Sequence, residues 1–135
     1  MKNYAESIER LPDFEVSYRF LSEAEGGRKT GPPFQHYRCD WSYEGDDISK
    51  TGIFMIHPEF LDSEGRVLSG EFRVPERGLA TMWIVVPKMI EQVHAARIKV
   101  GTKGFFMEGA RRIAEATVTR IIGLHTNNEI EKHSP

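Results

Sequence analysis

Glu25-Gly26-Gly27-Arg28-Lys29-Thr30-Gly31-Pro32-Pro33 is the stretch around which the rest of the chain is arranged. Three glycines and two prolines in the interval 22–33 cannot continue a strand or a helix, so this interval is predicted to form a long loop. A near copy of its beginning, Glu108-Gly109-Ala110-Arg111, recurs close to the C-terminus. The chain therefore carries two similar Gly-containing loops that are far apart in sequence.

Alternating patterns flank the first loop on both sides. Apolar and polar residues alternate over Phe14–Phe20, which predicts a half-buried strand. Gln35–Glu44 alternates in the same way, with Tyr37 and Cys39 on its apolar face. This segment is predicted to be a second strand that pairs antiparallel with the first.

The remaining segments predict further short strands and one helix. Strands are expected at Thr51–Ile56, Leu79–Val86 and Ile98–Met107, with fragments at Arg66–Leu68 and Glu71–Val74. Pro87–Arg97 is predicted to be a short helix, because proline suits the first helical turn and one face is apolar. Ala110–Ile122 stays open between helix, which its composition favours, and strand, which its alternation favours.

This pattern predicts one all-β domain, a small antiparallel barrel or sandwich. The chain has 135 residues, 39% hydrophobic and 28% charged, which is ordinary for a folded domain. Residues 1–12 are expected to be an N-terminal extension with one helical turn at Ala5–Glu9, residues 13–123 the domain, and residues 124–135 a polar, disordered tail.

Composition excludes or disfavours several classes of protein. The net charge is −2 and the pI near 6.2, whereas a dedicated nucleic-acid binder is usually strongly basic. Cys39 is the only cysteine, which rules out an intramolecular disulfide and favours a reducing, cytoplasmic location. No secretory signal and no apolar run of membrane-spanning length is found, so no membrane association is expected.

No catalytic, metal or cofactor site is predicted. A phosphate-binding loop needs glycine directly before Lys-Ser/Thr and another glycine five residues earlier, but Arg28 precedes Lys29 and Ala24 occupies the earlier position. His36 and Cys39 would point to opposite faces of a strand, so they cannot share one zinc ion. No nucleophile elbow is present. The sequence thus predicts neither an enzyme nor a nucleotide site.

The two Glu-Gly-x-Arg loops are the candidate binding site. Glycines permit positive φ and a close approach of a partner, and the neighbouring basic side chains offer cationic donors. The candidate binding residues are Gly27, Arg28, Lys29, Glu108, Gly109, Arg111 and Arg112. They could hold a phosphate backbone or an acidic protein surface. Alternatively, both arginines pair with neighbouring acids such as Glu25 and Glu108 and the loops are structural, which the residues alone favour.

Two segments resemble the third, C-terminal domain of elongation factor Tu. In that family a strand leads into a Glu-Gly-Gly-Arg-His-Thr-Pro loop and a Gly-Tyr-Arg-Pro-Gln-Phe strand, and residues 14–38 are similar. The family's closing Glu-Gly-Gly-Arg-Thr-Val-Gly and its apolar-basic strand are similar to residues 105–121. The interval 46–104 matches only loosely.

The resemblance implies a six-stranded antiparallel Greek-key barrel in which Ala110–Ile122 is the last strand and residues 87–97 are a short inserted helix. It also implies contacts to the T stem of aminoacyl-tRNA, with Arg28 at the position of a tRNA-contacting arginine and Lys29 in place of a histidine. Glu108 and Gly109 match the second loop of that site.

Departures from the family affect the predicted function. No GTPase domain is present, and Cys39-Asp40 replaces Pro-Gln, which places a negative charge near a surface that would meet RNA. The prediction is a stand-alone, non-enzymatic binding module with a protein partner, in the setting of translation. The alternatives are a tRNA-binding protein and an immunity-type protein that neutralises a toxin.

Overall fold

The computed structural model describes residues 10–127, so the helical turn predicted at Ala5–Glu9 lies outside the described residues. Six strands are present: β1 Phe14–Phe20, β2 Asp40–Tyr43, β3 Ile56–Phe60, β4 Arg77–Ile84, β5 Lys103–Glu108 and β6 Arg111–Ile121. The described residues also contain the short helices α1 at Ile48–Thr51 and α2 over residues 88–97, of which Ile90–His94 has π-helical hydrogen bonding, and a 3₁₀ turn at Glu23–Glu25. The fold is all-β with few helices, as predicted, and the helix expected at Pro87–Arg97 is confirmed.

All six strands form one antiparallel sheet in the order β2-β5-β6-β1-β4-β3. The strand predicted at Phe14–Phe20 is confirmed as β1, which lies in the interior of the sheet between β4 and β6. Its predicted pairing with Gln35–Glu44 is wrong. Only Asp40–Tyr43 of that segment is a strand, because His36 adopts a left-handed φ of 67° and interrupts the extended chain. This strand pairs with β5.

The sheet curls into a half-barrel whose two edge strands approach each other. Trp41 in β2 and Phe54, just before β3, exchange backbone hydrogen bonds of 2.9 and 2.8 Å. Inside the curl, the rings of Tyr18, Phe60 and Phe106 pack edge-on or tilted, with centroids 5.1–6.0 Å apart. The inward faces of β1, β3 and β5 therefore meet in one aromatic core.

The strand predicted at Thr51–Ile56 is wrong in position, because Thr51 ends α1, which Asp47 caps at its N-terminus. The real strand, β3, begins at Ile56 and runs through Pro58, which seemed to end it. Phe60, two residues later, directs its N–H and C=O outward to the Gln35 amide. Pro58 faces the same outer edge, where its missing N–H removes no ladder hydrogen bond.

The other predicted segments agree in part. The segments predicted at Leu79–Val86 and Ile98–Met107 overlap β4 and β5, but the strands begin and end at other residues. The two predicted fragments reduce to single bridges, Leu61 with Val67 and Phe34 with Arg73. Ala110–Ile122 is the strand β6, as the family resemblance implied.

A buried carboxylate joins both ends of the described chain to the sheet. Asp13, fully buried, accepts hydrogen bonds from the Ile84 N–H at 2.7 Å and the Asn127 side chain at 2.9 Å, and lies 3.4 Å from the Arg10 guanidinium. Residues 124–127 form a helical turn with Leu124 buried, whereas the sequence predicted a disordered tail beginning there. Residues 128–135 of that predicted tail lie outside the described residues.

Candidate binding surface

The two Glu-Gly-x-Arg loops meet in the folded chain. Arg28 Nε of the first loop lies 3.1 Å from Glu108 Oε2 of the second, and the Tyr37 hydroxyl donates to the same oxygen at 2.5 Å. The guanidinium stacks 5.0 Å from the centre of the Tyr37 ring and donates to the Gly31 carbonyl at 2.9 Å. We call Arg28, Tyr37 and Glu108 the clamp, since they connect residues 80 positions apart in the sequence.

The clamp gives Arg28 a structural role. The pKa of Tyr37 is raised to about 12 by burial and by its hydrogen bond to Glu108, so the hydroxyl stays protonated and donates. The Arg28 side chain is 19% exposed and the Glu108 side chain 37%. The ion pair of Arg28 joins the two loops, whereas pairing with neighbouring acids was predicted, and a partner that recruited Arg28 would have to break it.

Glu25 pairs with β1 instead of with its own loop. Its carboxylate binds the Arg19 guanidinium through two hydrogen bonds of 2.9 and 2.8 Å, and Arg19 holds the pKa of Glu25 down at about 2. Glu25 also accepts from the Ser22 N–H at 2.9 Å, while the Ser22 hydroxyl accepts from the Glu25 N–H at 3.2 Å. This capping box fixes the start of the first loop on the end of β1.

Gly27 and Gly109 serve different purposes. Gly27 is buried, and a Cβ there would lie 2.2 Å from the Leu21 carbonyl oxygen, so only glycine fits without displacing the backbone. It shapes the loop and is not itself on the exposed surface. Gly109 is exposed and has a φ of 58°, which the tight turn between β5 and β6 requires.

The remaining predicted cations are exposed and separate into two groups. Lys29 and Arg111 make no side-chain hydrogen bond or ion pair within residues 10–127. Arg112 instead stacks on the ring of Phe105, 4.2 Å from its centre, on the solvent side of the sheet. We call the exposed surface of Lys29, Gly109 and Arg111 beside the clamp the loop face.

Sequence reasoning placed Tyr37 on the buried side of a strand and so missed its part in the clamp. Its neighbour Cys39 is buried, and burial raises the pKa of the thiol well above its ordinary value. Asp40, the negative charge that departs from the family pattern, lies 3.4 Å from His57 Nε2 and is 31% exposed. No pattern in the sequence identifies Tyr37, because the break in the strand at the left-handed His36 is visible only in the fold.

A second polar cluster joins helix α2 to β2. The Tyr43 hydroxyl lies 2.6 Å from His94 Nδ1, and both residues are buried. Arg97 stacks over the Tyr43 ring at 3.9 Å and binds Asp46 through hydrogen bonds of 2.8 and 2.9 Å. Burial, with a smaller contribution from Arg97, lowers the pKa of His94 to about 4, so the imidazole is neutral at pH 7 and can accept from Tyr43.

Within the part of the chain that the structure describes, no group of three or more His, Cys, Asp or Glu side chains is placed to hold a metal ion. Over the same residues, no helix is long and apolar enough to cross a membrane. No protein-family model matches the chain, and no curated protein matches it.

Proposed function

We propose that the protein is a non-enzymatic binding module related to the third domain of elongation factor Tu, and that the loop face binds a protein partner. The observation that carries the proposal is the meeting of the two loops. The clamp holds them together, while Lys29 and Arg111 beside it have no partner among the described residues. Because the clamp already fixes the two loops, binding has to order only the side chains and not the backbone.

Support for a Greek-key barrel comes from the strand order and from the edges of the sheet. The order β2-β5-β6-β1-β4-β3 makes neighbours of β1 and β6, the first and last strands, through a pairing that covers most of β1. The bridge between Trp41 and Phe54 brings the two edges together. Both features suit the six-stranded barrel that the sequence resemblance implies.

The mixed charge of the region favours a protein partner over RNA. Glu108 and Asp40 remain partly exposed beside the cations, and the whole chain carries a net charge of −2. An RNA backbone would meet these carboxylates as well as the lysine and arginine, which weakens its binding. A protein surface can match both signs, and components of translation are the partners that the resemblance suggests.

The test is affinity capture with the full chain, using Lys29→Ala/Arg111→Ala as the binding variant. This pair leaves the clamp intact, whereas Arg28→Ala would disturb the loops themselves. Lys50→Ala/Lys88→Ala removes the same charge from exposed positions elsewhere and is the matched control. We expect the wild type and the control variant to retain a partner that the loop variant loses. The purified partner should then bind the wild type again. Retention by the loop variant would refute the proposal.

RNA binding is the second candidate, because Lys29, Arg111 and Arg112 are all exposed around one hairpin and loop. A gel-shift titration with bulk tRNA at two salt concentrations distinguishes RNA binding from binding of a protein partner. Binding that weakens both with salt and in Lys29→Ala/Arg111→Ala would establish an RNA surface. Absence of binding at low salt would exclude it.

A further inference from the structure

A groove crosses the solvent-facing side of the sheet over β4, β1, β6 and β5, on a different part of the molecule from the loop face. Its volume is about 560 Å³, within the range of small-molecule sites. The floor is the backbone of one row across the sheet, in which Gly78, Tyr18, Ala116 and Gly104 are successive neighbours. Their side chains, where present, point to the core, so the side chains of the flanking rows form the walls.

One wall is a row of hydrogen-bond donors. Lys103 is opposite Thr117 in the ladder, and Thr117 is opposite Ser17, so the three side chains share one face. Neighbouring strands lie about 4.8 Å apart, which places an ammonium and two hydroxyls side by side. None of the three side chains makes a hydrogen bond or ion pair with another residue of the described chain, 10–127.

The opposite wall carries a second uncommitted cation. Arg77 is the ladder neighbour of Arg19, and it too has no ion pair within the described residues. Arg19 binds both Glu25 at 2.8 Å and Glu115 at 3.0 Å, so these three side chains together carry one negative charge. Glu44 is exposed at the end of the groove. Among the lining side chains, the three cations Arg19, Arg77 and Lys103 face the two carboxylates of Glu44 and Glu115, which leaves one positive charge beside the two free hydroxyls.

We propose that this groove binds the oxyanion group, phosphate or carboxylate, of a small metabolite. Lys103, Thr117 and Ser17 donate hydrogen bonds to the oxyanion, and Arg77 contacts it or the adjoining part of the ligand from the other wall. Hydrogen bonds from a cation and hydroxyls to an anion are among the stronger ones available to a protein. The site shares no residue with the loop face, so it stands or falls independently of the proposed protein partner.

The test is a titration of the ¹⁵N-labelled full chain, followed by amide chemical shifts. The probes are inorganic phosphate, a hexose phosphate, citrate and a short single-stranded RNA. We expect the small anions to shift the amides of Ala116 and Gly104 at the groove floor, with little change at Lys29 or Gly109. Either Lys103→Met or Thr117→Val should weaken binding about tenfold, the usual effect of removing one hydrogen bond to a charged group.

Controls keep the result interpretable. Lys88→Met removes one positive charge from an exposed site outside the groove and should change affinity less than twofold, which is small against the effect of one charged hydrogen bond. Ser17→Ala tests the same wall if either other variant unfolds. Preference for the hexose phosphate assigns the ligand to phosphate compounds, and preference for citrate assigns it to carboxylates. The proposal is overturned if no small anion shifts the groove, if the groove variants bind like wild type, or if only the RNA binds.

Discussion

Arg28 and Glu108 occupy similar motifs, one in each loop, yet they contribute opposite charges to a single contact. The Arg28 guanidinium pairs with Glu108 and donates to the Gly31 carbonyl, while the Tyr37 hydroxyl donates to the same Glu108 carboxylate. Lys29, next in sequence, projects into solvent without such partners in the described chain. At the scale of residues, Arg28 therefore stabilises the contact between the loops, while the other cations remain free to bind a partner.

His94 should make the stability of the protein depend on pH. Its pKa is lowered to about 4 in the folded protein, against about 6.5 in an unfolded chain. The unfolded state therefore gains its proton first as the pH falls, so stability is complete above pH 6.5 and decreases between pH 6.5 and 4. The loss should reach about 3 kcal/mol at pH 4 from this residue, as measured by urea unfolding across that range.

A matched variant isolates this effect from other titrating groups. In His94→Asn the amide oxygen occupies the place of Nδ1 and can accept from Tyr43, but it does not titrate. Stability of this variant should change much less between pH 6.5 and 4. Part of the change in stability with pH will remain in this variant, because burial also lowers the pKa of His57. Exposed His125→Asn should retain the full wild-type slope, and an unchanged slope in His94→Asn would contradict the assignment.

At the scale of elements, strand β3 shows how an edge can be protected by one side chain. All five of its residues are buried, although β3 is an edge strand and no further strand of the described sheet continues beyond it. The Gln35 amide donates to the Phe60 carbonyl at 2.7 Å and accepts from the Phe60 N–H at 2.8 Å, as a paired strand would. It also donates to Leu68 at 2.9 Å, which joins the covering loop to the edge.

Gln35→Ala should consequently destabilise the protein and promote its self-association. The variant leaves the buried Phe60 N–H without its partner, which typically costs about 1–3 kcal/mol. It also opens a strand edge to pairing between molecules. Urea unfolding and light scattering measure the two effects. Gln92→Ala, on the exposed side of α2, is the control, and equal behaviour of the two variants would show that Gln35 does not protect the edge.

The elements that local patterns predicted well are those whose alternation reflects one buried face. β1 alternates residue by residue between buried and partly exposed positions, and its bounds follow from the sequence. Local patterns failed for β3, because whether Pro58 ends a strand depends on which edge it faces. They also failed for the partner of β2, since the loop that follows β1 is too long to enforce a hairpin.

The candidate site could be predicted only in part for a related reason. The similarity of the two loops identifies Arg28 and Glu108, but the sequence predicts pairing with neighbouring acids, and the observed pair joins the two loops. Glu25 was expected to bind an arginine of the loops, but Arg19 of β1 lies closer in the fold. Which arginine pairs with a given glutamate depends on the distances between side chains in the folded sheet. A single sequence does not give these distances.

At the scale of the whole molecule, both ends of the described chain contact the same buried residue, Asp13. The Asp13 carboxylate contacts Arg10, Ile84 and Asn127, while its backbone carbonyl accepts from the N–H groups of Ile122 and Leu124, each at 3.1 Å. Arg10, in turn, donates to the Ile84 carbonyl at 2.6 Å. These contacts join the start of β1 to the ends of β4 and β6, so the interior strands are linked at one point.

Asp13→Asn should therefore destabilise the whole sheet and not one end of it. The asparagine amide keeps one accepting oxygen, but its NH2 group cannot accept the hydrogen bond that the second carboxylate oxygen accepts. The buried Arg10 also loses its opposite charge, which typically costs about 3 kcal/mol or more. Urea unfolding should show this loss, and hydrogen exchange should become faster at Ile84 and Ile122 together. Asp47→Asn keeps a residue suited to capping α1 and should leave both measurements nearly unchanged. If exchange increased only near residue 13 while Ile84 and Ile122 kept their protection, Asp13 would be a local contact, and the linkage of the two ends would have to come from the backbone hydrogen bonds alone.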